Sequence, residues 1–225
     1  MTNPFQPRLD ELPAEFPVFP LEGVLLLPRG RLPLNIFEPR YMAMVEDALG
    51  AGRMFGMIQP DPQRPQRAQG PGLYRVGCLG RMSSFSESDD GRYLITLSGM
   101  IRFSVTEELE MRRGYRRVRA ELAAFADDLA AAGELDGFDR GALLAALRNY
   151  FQHRGFDANW DAIGKMPDSD LVVTLAMVCP FEPAEKQALL EARDAAERAR
   201  TLRTLLEIDT HQPAEPGQDG PVRAS

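Results

Sequence analysis

Residues able to do covalent or metal chemistry are few. The chain has two histidines, His153 and His211, and two cysteines, Cys78 and Cys179. A zinc site is signalled by ligands in closely spaced pairs, and these four residues are scattered. Each cysteine lies in an apolar run, which reads as a buried reduced thiol. His153 sits beside Arg154 at the end of an amphipathic segment, where a surface or helix-capping role is favoured. His211 falls in a polar tail. Ser83, Ser84, Ser86 and Ser88 cluster with Glu87, Asp89 and Asp90, the composition of a hairpin surface. Glu107-Glu108 and Asp127-Asp128 are adjacent pairs whose side chains diverge, so neither supplies two carboxylates for acid–base work. There is no GxxxxGK[ST] phosphate loop, no GxGxxG fingerprint and no GxSxG elbow. These residues point to a protein that is not an enzyme, with no catalytic residue, no metal and no cofactor.

One basic cluster exists. Arg112, Arg113, Arg116, Arg117 and Arg119 are interleaved with Tyr115. They could meet an anion or a nucleic acid. A solvated strand face balanced by Glu107, Glu108, Glu110 and Glu121 is favoured, because the net charge is −7 and nucleic-acid binding needs a basic surface. The first residues lack a basic start followed by an apolar core. No apolar run approaches the roughly 20 residues that span a bilayer. A cytoplasmic protein with no membrane contact is expected.

These side chains must be positioned by strands first and helices later. Residues 16–49 are the organising stretch. Val18 to Leu21, Val24 to Leu27 and Leu32 to Phe37 read as three short strands broken by Pro20, Gly23 and Pro28. Phe37, Tyr41, Met44, Val45 and Ala48 then fall at helical spacing, with Pro39 suited to the first turn. Arg53 to Gln59 predicts a buried strand, and residues 60–72 an exposed loop. Residues 74–122 read as antiparallel β, with Asp90-Gly91 a hairpin signal, a turn at Ser98-Gly99 and a connection at residues 107–110. From Ala123 alanine dominates. Helices are expected around Leu143 to Phe151, in a short turn capped by Asp157, from Asp168 to Val178, and in one long helix from Pro183 to Ile208. Ala188, Ala192, Ala195, Ala199, Leu202 and Leu206 would form its narrow seam. The expected organisation is a flexible arm (1–14), a β-rich part (15–124), a helical part (125–208) and a disordered tail (209–225).

The opening stretch FPVFPLEGVLLLPRGRLPLNIFEPRY resembles the N-terminal, substrate-binding domain of the Lon proteases. LYRVGCLGRM at 73–82, LSGMIRF at 97–103 and PAEKQALLE at 183–191 extend the likeness in the same order. The resemblance implies an α+β fold, a β-rich PUA-like pseudo-barrel followed by an α-helical bundle. It stops short of an ATPase module and a Ser–Lys peptidase, so a free-standing form without either activity is expected.

The functional expectation is a recognition module for a polypeptide substrate or protein partner, acting as an adaptor or regulator in protein quality control. Arg29 and Arg31 in the opening turn, with Met82 and Phe85 near the hairpin, are the peptide-binding candidates. Glu38 and Arg40 are expected to hold the strand-to-helix junction. A PUA-like RNA-binding module and a small-molecule-binding domain are the alternatives. A monomer or weak homodimer is expected.

Overall fold

The computed structural model describes residues 7–66, 69–131, 133 and 135–211. Its strands are β1 (Glu15–Pro20), β2 (Arg31–Ile36), β3 (Met54–Ile58), β4 (Val76–Glu87), β5 (Tyr93–Arg112) and β6 (Tyr115–Glu121), with helix α1 (Pro39–Gly50) between β2 and β3. The sheet runs β2-β5-β4-β3-β1-β6, and β6 pairs again with β5. That last pairing closes five strands into a ring and leaves β2 outside it, along the first part of β5. Among the described strands only β1 and β3 pair in parallel. This is the pseudo-barrel expected from the resemblance.

Closure depends on β5, which is 20 residues long. Residues Tyr93 to Ser98 pair with β2, and Ser104 to Arg112 pair with β6. The expected turn at Ser98-Gly99 is absent: Gly80 opposes Gly99 and Leu79 opposes Ile101, so Met100 bulges and the strand continues. Glu107 to Glu110 are strand as well. Cross-strand ion pairs from Arg116 to Glu108 and from Arg119 to Glu107 carry these carboxylates inside β5.

Inside the ring Phe103 meets Phe16 edge-on, with centroids 5.0 Å apart. Gly56 and Gly77 face the Phe103 ring, where a Cβ would lie 2.7 and 2.4 Å from it. Val18, Leu79, Ile101 and Val118 complete this core. Residues 7–14, read as part of a loose arm, carry a short 3-10 turn at Leu9–Glu11, and Leu9 and Leu12 pack on the same core.

The run Val24 to Leu27 is not a strand. It is a buried loop, with Leu25, Leu26 and Leu27 almost inaccessible. The backbone N–H groups of Arg29 and Gly99 bond to the carbonyls of Gly99 and Gly30 at 2.8 and 2.9 Å, which staples the loop to β5. Apolar content signalled burial here, and burial does not require pairing.

The helical part comprises α2 (Arg140–Arg154), α3 (Trp160–Lys165), α4 (Asp168–Val178), α5 (Pro183–Glu191) and α6 (Ala195–His211). Asn159, not Asp157, caps α3 by accepting from the Ala162 N–H at 3.0 Å. The expected long closing helix is two. Asp194 accepts from the Glu197 N–H at 2.7 Å and opens α6 as an N-cap. Buried Arg102 and Arg198 take the last carbonyls of α5 and the linker: Arg102 bonds Leu190 and Ala192, and Arg198 bonds Leu189. Ala188 is therefore exposed and off the seam that Ala199, Leu202 and Leu206 bury. One apolar core joins α1 and the outer face of the ring to α2, α4, α5 and α6.

Candidate polypeptide-binding surface

At the outer end of the β2-β5-β4 ribbon, apolar side chains stand in solvent. Phe85 on β4 is 41% exposed and pairs its ring with Tyr93 at 5.1 Å. Leu94, one residue on and facing the other side of the sheet, is 45% exposed. Phe37, directly after β2, is 60% exposed and lies under the Arg92 guanidinium at 5.7 Å. Phe37 was expected on the helical stripe of α1. The helix starts at Pro39, so Phe37 lies before it and points away from the core. Exposed aromatic and aliphatic groups rimmed by Arg92, Glu87 and the serines are the composition of a protein-contact surface.

The sequence candidates separate. Phe85 belongs to this tip. Met82 does not: it is 3% exposed and packs in the main core, because its strand parity is the inward one, opposite Leu97. Arg29 and Arg31 are exposed at the far end of the same ribbon, where Arg31 opposes Ser98 and Ser98 opposes Arg81. Glu38 caps α1 through its carbonyl, which accepts from the Tyr41 and Met42 N–H groups at 2.9 Å. Arg40 donates to the Glu38 carboxylate at 3.0 Å and lies 4.6 Å from the Tyr41 ring centroid.

Two features had no local signal in the sequence. Arg53 and Arg81 line an open basin of about 360 Å3 with Pro7, Met82, Ser83, Ser98 and Met100. A second depression of about 420 Å3, lined by Arg64, Tyr74, Arg75 and Glu107, opens beside β5.

The cluster from Arg112 to Arg119 is matched by acids. Arg113 donates to Glu46 at 2.7 Å and Asp47 at 2.9 Å, and Arg112 lies 3.3 Å from Asp47. Buried Arg116 donates to Glu108 at 2.6 Å and to the Pro71 carbonyl at 2.7 Å. Arg117 and Arg119 both reach Glu15. Three of these acids, Glu15, Glu46 and Asp47, lie outside the local run of glutamates that was expected to balance the cluster.

Hydrogen bonds from Tyr115 and then Arg113 hold the Asp47 carboxyl below its usual range. Arg113 and Tyr93 do the same for Glu46. A depressed carboxylate pKa gives stability that is complete above the unfolded value and lost as pH falls through the folded one. Asp47→Asn removes that dependence. Thermal unfolding followed from pH 7 to pH 2.5 is expected to show wild type and this variant converging below about pH 4.

Both cysteines are buried. Burial pushes the Cys179 thiol up to about 12, and it pushes Cys78 upward as well. His153 is exposed in the last turn of α2, and His211 is the last residue of α6. No group of three or more metal-binding side chains occurs among the described residues. No described helix is long and apolar enough to cross a membrane.

Comparison with known proteins identifies the scaffold. Lon protease 2 of Sorangium cellulosum is 27% identical over 208 residues, covering 83% of this chain and 24% of that protein. The chain thus spans about a quarter of that relative's length. The crystal structure of a Lon N-terminal domain protein from Xanthomonas campestris shares the fold, with a TM-score of 0.56 at 22% identity over 84% of this chain and 97% of that one. The N-terminal domain of a Mycobacterium avium complex Lon protease superposes equally, with a TM-score of 0.56 at 15% identity over 85% of this chain and 97% of that one. The family model of the ATP-dependent protease La (LON) substrate-binding domain matches residues 15–207, and this chain belongs to that family.

Proposed function

We infer that this chain is a non-catalytic recognition module that binds polypeptide segments and serves as an adaptor or regulator in protein quality control. The observation that carries the reading is the exposed apolar tip of the β2-β5-β4 ribbon, formed by Phe37, Phe85, Tyr93 and Leu94. Membership of a substrate-binding family supports it. Aromatic residues held on a rigid sheet contribute large contact area at little entropic cost. Glu38 and Arg40 hold the entry to α1 and so place Phe37. The module acts in the cytoplasm as a monomer or weak homodimer. An RNA-binding role for the cluster from Arg112 to Arg119 is disfavoured because acids already neutralise it.

Phe37→Ser and Phe85→Ser leave the buried core intact. Each is expected to weaken binding of a permanently unfolded probe, reduced and carboxymethylated α-lactalbumin, by about tenfold, as truncating an aromatic anchor typically does. Fluorescence anisotropy measures this. Absence of binding by wild type, or binding unchanged in both variants, would refute the reading.

A further inference from the structure

The arginines around the basin differ from those of β6. Arg31, Arg53 and Arg81 are exposed, and none forms an ion pair with a described residue. Register puts Arg31, Ser98 and Arg81 directly opposite one another on three adjacent strands, so they share one face. At about 4.8 Å between strands, the two guanidinium-bearing positions lie roughly 10 Å apart. Arg53 joins them from the turn before β3 and lines the same basin as Arg81. Ser98 donates to Ser83 at 3.0 Å, and Ser83 donates to the Thr96 carbonyl at 3.2 Å, so hydroxyls lie beside the arginines, with Pro7, Met82 and Met100 completing the lining. Arg53 and neighbouring Arg29 hold φ of 63° and 68°, a backbone region that favours glycine. Non-glycine residues kept there cluster at functional sites.

We propose that this basin is a subsite for acidic side chains of a bound polypeptide, deepening the recognition reading on which it rests. Positive charge that no described carboxylate pairs with, on a protein of net charge −7, is complementary to carboxylates. Guanidinium forks match carboxylate geometry. A nucleic acid fits less well. No aromatic ring lines the basin to stack a base, and the surrounding acidic protein repels a long polyanion. The subsite also has a fixed distance from the apolar residue of the tip that shares its face. Leu94 and Ser98 lie on one face of β5, about 13 Å apart at roughly 3.3 Å per residue. An extended peptide has the same rise, so the preferred segment carries its acidic residues about four positions from its apolar ones.

The test uses the full chain and three fluorescein-labelled probes. One is a 14-residue peptide with a Phe-Leu pair and an Asp-Glu pair about four residues apart. The second replaces Asp-Glu by Asn-Gln, and the third is a single-stranded RNA of 14 nucleotides. In 50 mM salt the acidic peptide is expected to bind roughly tenfold tighter than its amide isostere, and about twofold tighter in 500 mM salt. The double variant R31Q/R81Q should abolish the preference and leave the amide peptide's affinity unchanged. L94S should weaken both peptides equally. Equal binding of the two peptides to wild type, or a preference that survives in R31Q/R81Q, would overturn the subsite while the L94S effect keeps polypeptide recognition standing. If neither peptide binds, both readings fall. Tight RNA binding lost in R31Q/R81Q would reassign the basin to nucleic acid.

Discussion

Asp128→Asn is expected to lower the free energy of unfolding by about 3–5 kcal/mol, the cost of breaking a buried ion pair from one side. Asp128 engages Arg102 through both oxygens. It accepts from Nε at 2.8 Å, from Nη2 at 2.9 Å and from the Arg102 backbone N–H at 3.0 Å. Arg102 is 5% exposed, lies 4.8 Å from the Phe125 ring centroid, and donates to the carbonyls of Leu190 and Ala192. Arg198 is 4% exposed, and burial together with the charge of Arg102 pushes its pKa down to about 10. Asp128 is the carboxylate that opposes both effects. Removing its charge leaves the mutual repulsion of two buried guanidiniums without this opposing carboxylate. Urea unfolding with an unchanged m-value measures the loss. Replacing Arg102 by Met and Asp128 by Leu together should recover part of it, since an apolar pair carries no desolvation cost. A loss below about 1 kcal/mol in Asp128→Asn, the size of an exposed pair, would show that the charge is not needed there.

Gly99→Ala is expected to cost about 3 kcal/mol, the upper end of what overpacking a core does. A Cβ at residue 99 would lie 2.0 Å from the Leu27 carbonyl oxygen and 2.8 Å from its carbon. Both are backbone atoms, so no rotamer change relieves the clash. The staple between residues 27–30 and β5 must move instead, and with it the loop holding Leu25, Leu26 and Leu27 in the core. Gly50→Ala is the control. No atom lies within 4 Å of a Cβ at this last residue of α1, so the change should be neutral or stabilising by up to about 1 kcal/mol. Denaturant midpoints compare the two. A Gly99→Ala variant as stable as Gly50→Ala would mean that the loop can lift from the strand without loss.

The parts legible in the sequence are those specified by neighbours. β1, β2, α1 and β3 follow from punctuation by Pro20, Gly23, Pro28 and Pro39 and from the change of period after Phe37. Gly155, at φ 68°, closes α2 as expected for a left-handed cap. The break before α6 was also legible, since Asp194-Ala195-Ala196-Glu197 is a capping signal that the alanine seam obscured. Met82, a peptide-binding candidate, shares parity with Val76 and Cys78 and is 3% exposed, yet it also lines the basin. Ring closure was not legible, because it depends on β6 pairing with two strands far away in sequence. The basin was hidden for the same reason. Arg31, Arg53 and Arg81 come from three strands or turns, and register alone brings them together.

The closed ring also sets the order of assembly. β1 can pair with β3 once Ile58 exists, but its other edge waits for residues Arg116 to Arg119. Such long-range pairing slows folding, because loop-closure entropy must be met before the contact forms. During synthesis β1 therefore emerges with one edge open and remains so until β6 has left the ribosome. For roughly a hundred residues of elongation, at about 5–20 residues per second, the nascent chain presents a strand bearing Phe16 and Val18 with one edge unpaired. A protein read as a receptor for unstructured polypeptide is, for those seconds, itself a candidate client of such a receptor.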